Sequence, residues 1–324
     1  MSDNKSSGVN ENKNQSLGIV VFGAVFVDIK GYPLTTYIPG GRNAGRVEQV
    51  HGGVSRNVVE DIANVELRPT FVSLVDDDGI GMGVLDKLRR HKVNTEYMQS
   101  VPNGMGTWLA VFDHTGEVQA AISKRPDLGP VLTLLEEKGD EIFARADSIA
   151  IEIDMDKDIV KKIFQLAHKH EKRVYAVVSN MSIAADRRDF IKETDCFICN
   201  RQEAGILFTD NYDDRTIDEL KQILIRKVIS ADIPCMIVTL ADKGAVYATR
   251  DGQCGYCPAR NVMVKDTTGA GDAFFAGVTI GMTYGKSIDE SCDIGAQLAA
   301  SVIGSLENVC PRFMPAEFGL ESRE

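Results

Sequence analysis

The chain has 324 residues, enough for one large core or two smaller ones. Its composition is that of an ordinary soluble domain, and its formal net charge of −11 argues against a nucleic-acid partner. No apolar run approaches ~20 residues, so no membrane span is expected.

Residues 1–16 are rich in Ser, Asn and Lys and lack the apolar core of a secretory signal, so a disordered tail is expected there. Residues 17–27 are nearly all apolar and read as a strand covered on both faces. Apolar positions Val54, Val58, Ile62 and Val65 give a helix over 54–65. A strand at 70–75 and a helix at 84–91 follow. Asp113-His114-Thr115-Gly116 lies between two β-rich runs, 107–112 and 118–123, which is a hairpin signal. Further strands are expected at 148–153, 173–178, 196–199 and 236–239, with helices at 159–170 and 217–231. This alternation predicts an α/β fold with a mostly parallel central sheet and helices on both faces. Residues 29–50 and 104–125 break the alternation and read as a small sheet standing off the main body.

Two glycine-rich stretches mimic nucleotide loops. Gly281-Met282-Thr283-Tyr284-Gly285-Lys286-Ser287 is one residue short of a P-loop and follows a helix, so it reads as a helix end. Gly79-Ile80-Gly81-Met82-Gly83 lacks the dinucleotide spacing, and Asp76, Asp77 and Asp78 would repel a pyrophosphate. It reads as a turn. His168 and His170 lie about 200° apart around a helix and cannot share a metal.

The stretch richest in chemistry is Asp266-Thr267-Thr268-Gly269-Ala270-Gly271-Asp272, followed by the apolar run Ala273-Phe274-Phe275-Ala276-Gly277. It reads as a glycine loop opening a helix, with the amides of Gly269, Ala270 and Gly271 bared for an anion. Asp272 beside that anion site is accounted for as a general base taking a proton from a hydroxyl. An ordinary capping Asp is the alternative. Asp28, at the carboxyl end of the first strand, suits a sugar diol, since a carboxylate accepts two hydroxyl hydrogen bonds; a loop Asp capping a turn is the alternative.

Gly52-Gly53-Val54-Ser55-Arg56-Asn57, Asn200-Arg201-Gln202-Glu203 and Val238-Thr239-Leu240 with Lys243-Gly244 precede that stretch. In this order the segments resemble the PfkB (ribokinase-like) family of sugar and nucleoside kinases, over about residues 17–316. The resemblance implies a three-layer α/β/α fold, a β-sheet lid over the sugar site, and a homodimer through the lid. A short C-terminal tail, 317–324, would follow. It implies ATP-dependent phosphorylation of a primary hydroxyl, with Asp272 as base. Gly52, Gly53 and Asn57 match the substrate motif, the glycines admitting the sugar, and Asp154 a further substrate position. Asn200 and Glu203 match the motif that organises Mg²⁺ indirectly, although a helix cap is an alternative for this pair. Thr239 and Gly244 match nucleotide-loop positions, and Gln297 is an adenine-side candidate. Asp266 and Thr268 match positions that hold a monovalent cation, K⁺ being the candidate. The chain departs from the family at Ala241, where glycine is usual, and at Val178-Ser179-Asn180.

Arg56 directly before Asn57 is similar to the pseudouridine kinase branch, while a solvated helix residue is the plainer reading. Pseudouridine and a simple sugar such as ribose or fructose both remain open, and Trp108 and Phe112 on the lid are candidates to stack a base. A non-catalytic sugar or nucleoside sensor is the alternative class. Two Cys-x-x-Cys pairs, at 196–199 and 254–257, raise a zinc site; the first is placed on a strand and the second in a turn. Reduced thiols in a cytoplasmic protein are the preferred reading.

Overall fold

The apolar run near the start does not continue as one strand. Gly18–Phe22 lies in the main sheet and Phe26–Pro33 in a smaller one. The break falls at Gly23, where a Cβ would stand 1.9 Å from the Ser55 hydroxyl and 2.5 Å from a Glu152 carboxylate oxygen. Only glycine lets the chain leave the sheet between those side chains. This computed structural model describes residues 16–320. The expected tail over 1–16 lies outside them except for Ser16, as do residues 321–324. Phe318 and Leu320 are buried, so the packed chain runs on past residue 316.

Eight strands form the main sheet, in spatial order Cys254–Cys257, Ala245–Thr249, Cys235–Thr239, Cys196–Asn200, Val174–Val177, Ala146–Glu152, Gly18–Phe22 and Thr70–Val72. Pairing is parallel from Thr70–Val72 across to Cys235–Thr239 and antiparallel at the last two strands. Residues 254–257, expected as a turn, are the outermost strand. The turn lies just before them, at Gly252 with φ 91°. The chain begins inside the sheet, moves to the edge at Thr70–Val72, then continues on the other side at Ala146–Glu152. Strand order therefore reverses between Gly18–Phe22 and Ala146–Glu152. Open α/β sheets bind ligands at the carboxyl ends of such a pair.

Side chains alternate across the strands, which builds the three layers. Val20 and Phe22 face a core shared with Phe143 and Phe164 from helices Gly129–Arg145 and Lys157–Lys169. Ile19 and Val21 face the other core, with Val58, Phe275 and Leu298 from helices Val54–Asn64, Ala270–Thr283 and Ile288–Ile303. Helix Gly79–Arg90 starts earlier than expected because Asp78 accepts the Ile80 and Gly81 amides, both at 2.9 Å. The three-glycine stretch there is thus a capped helix start, neither a turn nor a dinucleotide loop.

The small sheet has the order Gly45–Gly52, Phe26–Pro33, Gly106–Phe112, Val118–Lys124, paired antiparallel, parallel and antiparallel. It is the stand-off sheet expected from 29–50 and 104–125. Asp113 closes its hairpin by accepting the Thr115 and Glu117 amides at 2.8 and 3.0 Å. Arg125, one residue beyond the last strand, donates to Asp154 at 2.9 Å and ties the sheet to the main body.

The last two long helices meet through glycine. A Cβ on Gly277 would stand 2.6 Å from Gly295 Cα, and one on Gly295 would stand 2.7 Å from the Phe274 carbonyl. Backbone on both sides leaves nothing that can give way. Gly277→Leu is therefore expected to cost about 3 kcal/mol or more. Thermal unfolding followed by circular dichroism checks this, and an unchanged midpoint would contradict the packing.

Candidate active site

Two helix starts converge on the crevice at the strand-order reversal. Helix Val54–Asn64 begins at Gly53, with φ 100°, where a Cβ would press the Ala24 carbonyl at 2.7 Å. Helix Ala270–Thr283 begins at Gly269, with φ 84°, where a Cβ would press the Asn308 carbonyl at 2.1 Å. Both positions demand a backbone that only glycine adopts cheaply. No side chain caps the second helix.

The amides at that second start differ in their partners. Ala270 N–H is drawn to the Thr267 carbonyl at 3.2 Å. Those of Gly269, Gly271 and Asp272 have no acceptor among the described residues. The expected set of donors, Gly269 to Gly271, is thus corrected: Ala270 is partly spent and the Asp272 amide joins. Gly271 is exposed and faces open space, since a Cβ there would meet nothing within 4 Å. Bared amides at a helix start favour a phosphate-like anion.

Asp272 is tied to the other helix. Its Oδ2 accepts a hydrogen bond from Asn57 Nδ2 at 2.6 Å, while Asn57 Oδ1 is buried with no partner. An orphaned acceptor beside a carboxylate is ready for a ligand hydroxyl. Burial pushes the Asp272 carboxyl up to about 7. The Asn57 bond and Arg56 oppose this, and the nearby Glu152 and Asp28 carboxyls add to it. A base poised there suits proton abstraction from an alcohol near neutrality.

Asp28 sits on the lid strand facing this pair, its own carboxyl raised by burial and lowered in part by Lys30 and Arg56. Its carboxylate occupies the place where a Gly52 Cβ would go, at 2.6 Å from both oxygens. The two glycines were expected to admit a sugar. Gly52 instead makes room for Asp28, and Gly53 makes the turn. Glu152, absent from the sequence expectations, is buried at the end of its strand and accepts the Ser55 and Ala24 amides at 3.1 and 3.3 Å. No local pattern marks it; only the strand-order reversal places it here.

Asp154 is engaged elsewhere. Ser179 N–H and Oγ–H and Arg125 reach its two carboxylate oxygens at 2.7 to 2.9 Å. It works as the strut between lid and body rather than as an open ligand contact. Arg56 is neither a solvated residue nor a ligand contact. It is 1% exposed and pairs with Glu60 at 2.6 Å.

A cavity of about 520 Å³ adjoins the bared amides. Thr239, Gly244, Val262, Gly271, Phe274 and Ala300 are among its walls. Gln297 is not: the last helix presents Ala296, Ala299, Ala300 and Ile303, spaced as one helical face, and Gln297 points off it. Ala241 also lines the cavity and has φ 54°, which explains why glycine is usual in that loop. A hollow of about 650 Å³ beside Thr209 and Asp213 shares none of these residues.

Asn200 and Glu203 form a reciprocal helix cap, Asn200 Oδ1 accepting the Glu203 amide at 2.9 Å and Glu203 Oε2 accepting the Asn200 amide at 2.7 Å. Asn200 lies beside Thr239 at the carboxyl ends of paired strands. Asp266 spends an oxygen on the Thr268 amide at 2.8 Å. Among the described residues no group of three or more His, Cys, Asp or Glu is placed to hold a metal. All seven cysteines are free thiols, and all but Cys254 are buried. No described helix is long and apolar enough to cross a membrane.

Comparison with known proteins agrees with this geometry. The profile of the pfkB family carbohydrate kinases matches residues 16–308. A guanosine-inosine kinase of Exiguobacterium acetylicum is 34% identical over 296 residues, 90% of this chain and 95% of that protein. A pseudouridine kinase of Escherichia coli is 22% identical over 283 residues, 83% of this chain and 86% of that protein. The solved structure of Arabidopsis thaliana ribokinase with ribose and ATP superposes with a TM-score of 0.80 at 19% identity, covering 94% of this chain and 99% of that one.

Two outcomes follow from the site alone. The Asp272 carboxyl titrates near 7 when folded against 3.8 when unfolded, so the native state holds its proton longer. That contribution to stability is lost as pH rises from about 4 to 7, reaching about 4 kcal/mol above it. Asp272→Asn should therefore melt higher than wild type at pH 8 and no higher at pH 4; equal midpoints at both would overturn the assignment. Ala241→Gly relieves a left-handed alanine and should raise the midpoint slightly, by about 1 kcal/mol at most. A fall in urea-unfolding free energy would contradict the strain.

Proposed function

The chain belongs to the pfkB family of carbohydrate kinases and is a sugar or nucleoside kinase, and from that premise we propose that its acceptor is a ribosyl purine nucleoside such as guanosine or inosine, with ATP as donor. The observation that carries the acceptor class is the 34% identity to a guanosine-inosine kinase along 90% of the chain. It replaces the pseudouridine reading, whose relative is 22% identical.

The lid supports a base as well as a sugar. Register puts Trp108 beside Asp28, on the same face of the small sheet. Two steps outward, Tyr32 and Phe112 stack at 4.8 Å, and Trp108 meets Phe112 edge-on at 6.3 Å. Tyr32 is covered by the Arg46 guanidinium at 4.2 Å, which leaves Trp108, backed by Phe112, as the apolar platform for a purine beside Asp28.

The transfer needs positioning and charge stabilisation more than covalent help. Asp28 and Asn57 Oδ1 receive ribose hydroxyls. Asp272 takes the proton of the attacking hydroxyl as its oxygen bonds to the γ-phosphorus and the bond to ADP breaks. The amides of Gly269, Gly271 and Asp272 hold the charge that builds on the transferred group. The 520 Å³ cavity beside them suits the nucleotide. Mg²⁺ would neutralise the phosphate oxygens; the carboxylate of Glu203, raised by burial and by the charge of Asp154, and the Asn200 side chain would be the groups to hold its waters. On the lid's other face Val47, Leu109 and Ile122 are 72, 39 and 69% exposed, which supports pairing of two copies through their lids.

ADP release with ATP, Mg²⁺ and a panel of guanosine, inosine, pseudouridine, ribose and fructose tests the reading. Guanosine or inosine should be turned over best. Asp272→Asn should lose about 10²–10⁴-fold in kcat. Gly271→Ala, whose methyl meets no protein atom within 4 Å, should melt as wild type yet lose activity. Trp108→Ala should raise KM for the nucleoside about 5- to 100-fold while sparing ribose. Preference for ribose, or ligand binding with no ADP from any acceptor, would refute the proposal.

A further inference from the structure

A buried arginine lies at the wrong end of its helix. Arg56 is in the first turn of Val54–Asn64, where the helix dipole disfavours a cation. Its side chain is 1% exposed, and buried ion pairs are a weak source of stability. Its contacts are directed at the loop before the helix. Nη2 donates to the His51 carbonyl, Nε lies 3.5 Å from the Gly52 carbonyl, and Nη1 is held by Glu60 at 2.6 Å. Glu60 in turn meets Lys87 at 3.0 Å and His91 at 3.6 Å.

The same His51 carbonyl accepts a second hydrogen bond, from Asn308 Nδ2 at 3.2 Å. Asn308 is the residue whose own carbonyl backs Gly269 at the bared amides. Two residues on, the Cys310 amide donates to Asp61 at 2.6 Å, on the helix that carries Asn57. A continuous set of contacts thus runs from Glu60 through Arg56, His51 and Asn308 to the anion loop.

We propose that Arg56 is a positioning residue for phosphoryl transfer: its guanidinium clamps the His51 and Gly52 carbonyls, fixing the Gly53 turn so that Asn57 meets the Asp272 carboxylate and the substrate loop keeps register with the anion loop. A planar fork reaching two carbonyls and a carboxylate is a task lysine cannot fulfil. The inference rests on Asp272 being the base. The ionisable groups around that carboxyl are Asp28 on the lid, Glu152 on the central strand, and Arg56 and Asp61 on the helix. Arg56 is the cation that opposes the raised Asp272 carboxyl.

Three variants test it: Arg56→Lys, the neutral pair Arg56→Gln with Glu60→Gln, and Asn308→Ala in the loop. With whichever acceptor wild type turns over best, Arg56→Lys should lower kcat at least 10-fold with KM for ATP unchanged. The neutral pair should also move the acid limb of the kcat–pH profile upward by half a unit or more. Asn308→Ala should lower kcat in the same direction, by less. A purely structural role would lower the melting temperature and leave kcat and the limb in place; that result, or wild-type kinetics in folded variants, overturns the proposal. The stabilisation by Asp272→Asn at pH 8 gives a readout that needs no acceptor. It should grow in the neutral-pair background, and equal gains in both backgrounds overturn the coupling. Wild type inactive on every acceptor, with that gain still larger in the neutral-pair background, would instead count against the nucleoside reading alone.

Discussion

The site depends on one hydrogen bond, from Asn57 to Asp272 at 2.6 Å, between residues 215 apart in sequence. It joins the starts of two helices and sets the geometry on both sides. On one side Asn57 keeps its oxygen free for a ligand. On the other, Asp272 is held next to amides that no carbonyl has claimed. A hydrogen bond to a carboxylate is among the stronger kinds, and here it opposes the burial that lifts the carboxyl toward neutrality. The protein thus balances desolvation against one donor and one buried guanidinium, and leaves a base suited to neutral pH.

That contact exists because the sheet changes direction. The strand ending at Phe22 and the strand ending at Glu152 are neighbours, although 128 residues separate Ala24 from Glu152 where they touch. The crevice between their ends receives Asp28 from the lid, Asn57 from helix Val54–Asn64 and Asp272 from helix Ala270–Thr283. Glycines occur where backbone and side chains come too close for a Cβ. At Gly23, Gly52, Gly53 and Gly269 the crowding atom is in each case part of, or next to, the site. The Arg125–Asp154 bond joins the small sheet to this crevice.

Much of this was legible in the residues. The alternation of apolar runs and helical periodicities gives the three layers, because side-chain direction repeats every two residues in a strand and every 3.6 in a helix. Gly269 to Asp272 reads as an anion loop with a carboxylate, although a capping Asp would look the same until the other segments supply the family resemblance. Other assignments needed the packed molecule. Arg56 looks like a surface residue until His51 and Glu60 close over it. Residues 254–257 look like a turn until Ala245–Thr249 offers them a ladder. Gln297 looks polar enough for a nucleotide, yet helix rotation gives the cavity a face of small alanines instead.

By itself the amino-acid order determined the alternation of most strands and helices and which carboxylate follows a glycine-rich helix start. These are short-range matters, governed by sterics and local hydrogen bonding. Tertiary structure alone decided the partnership of Asn57 with Asp272, the entry of Glu152, the inward turn of Arg56 and the binding of Asp154 to the lid. Each depends on contacts between distant segments, and on the desolvation those contacts impose, which no local pattern encodes.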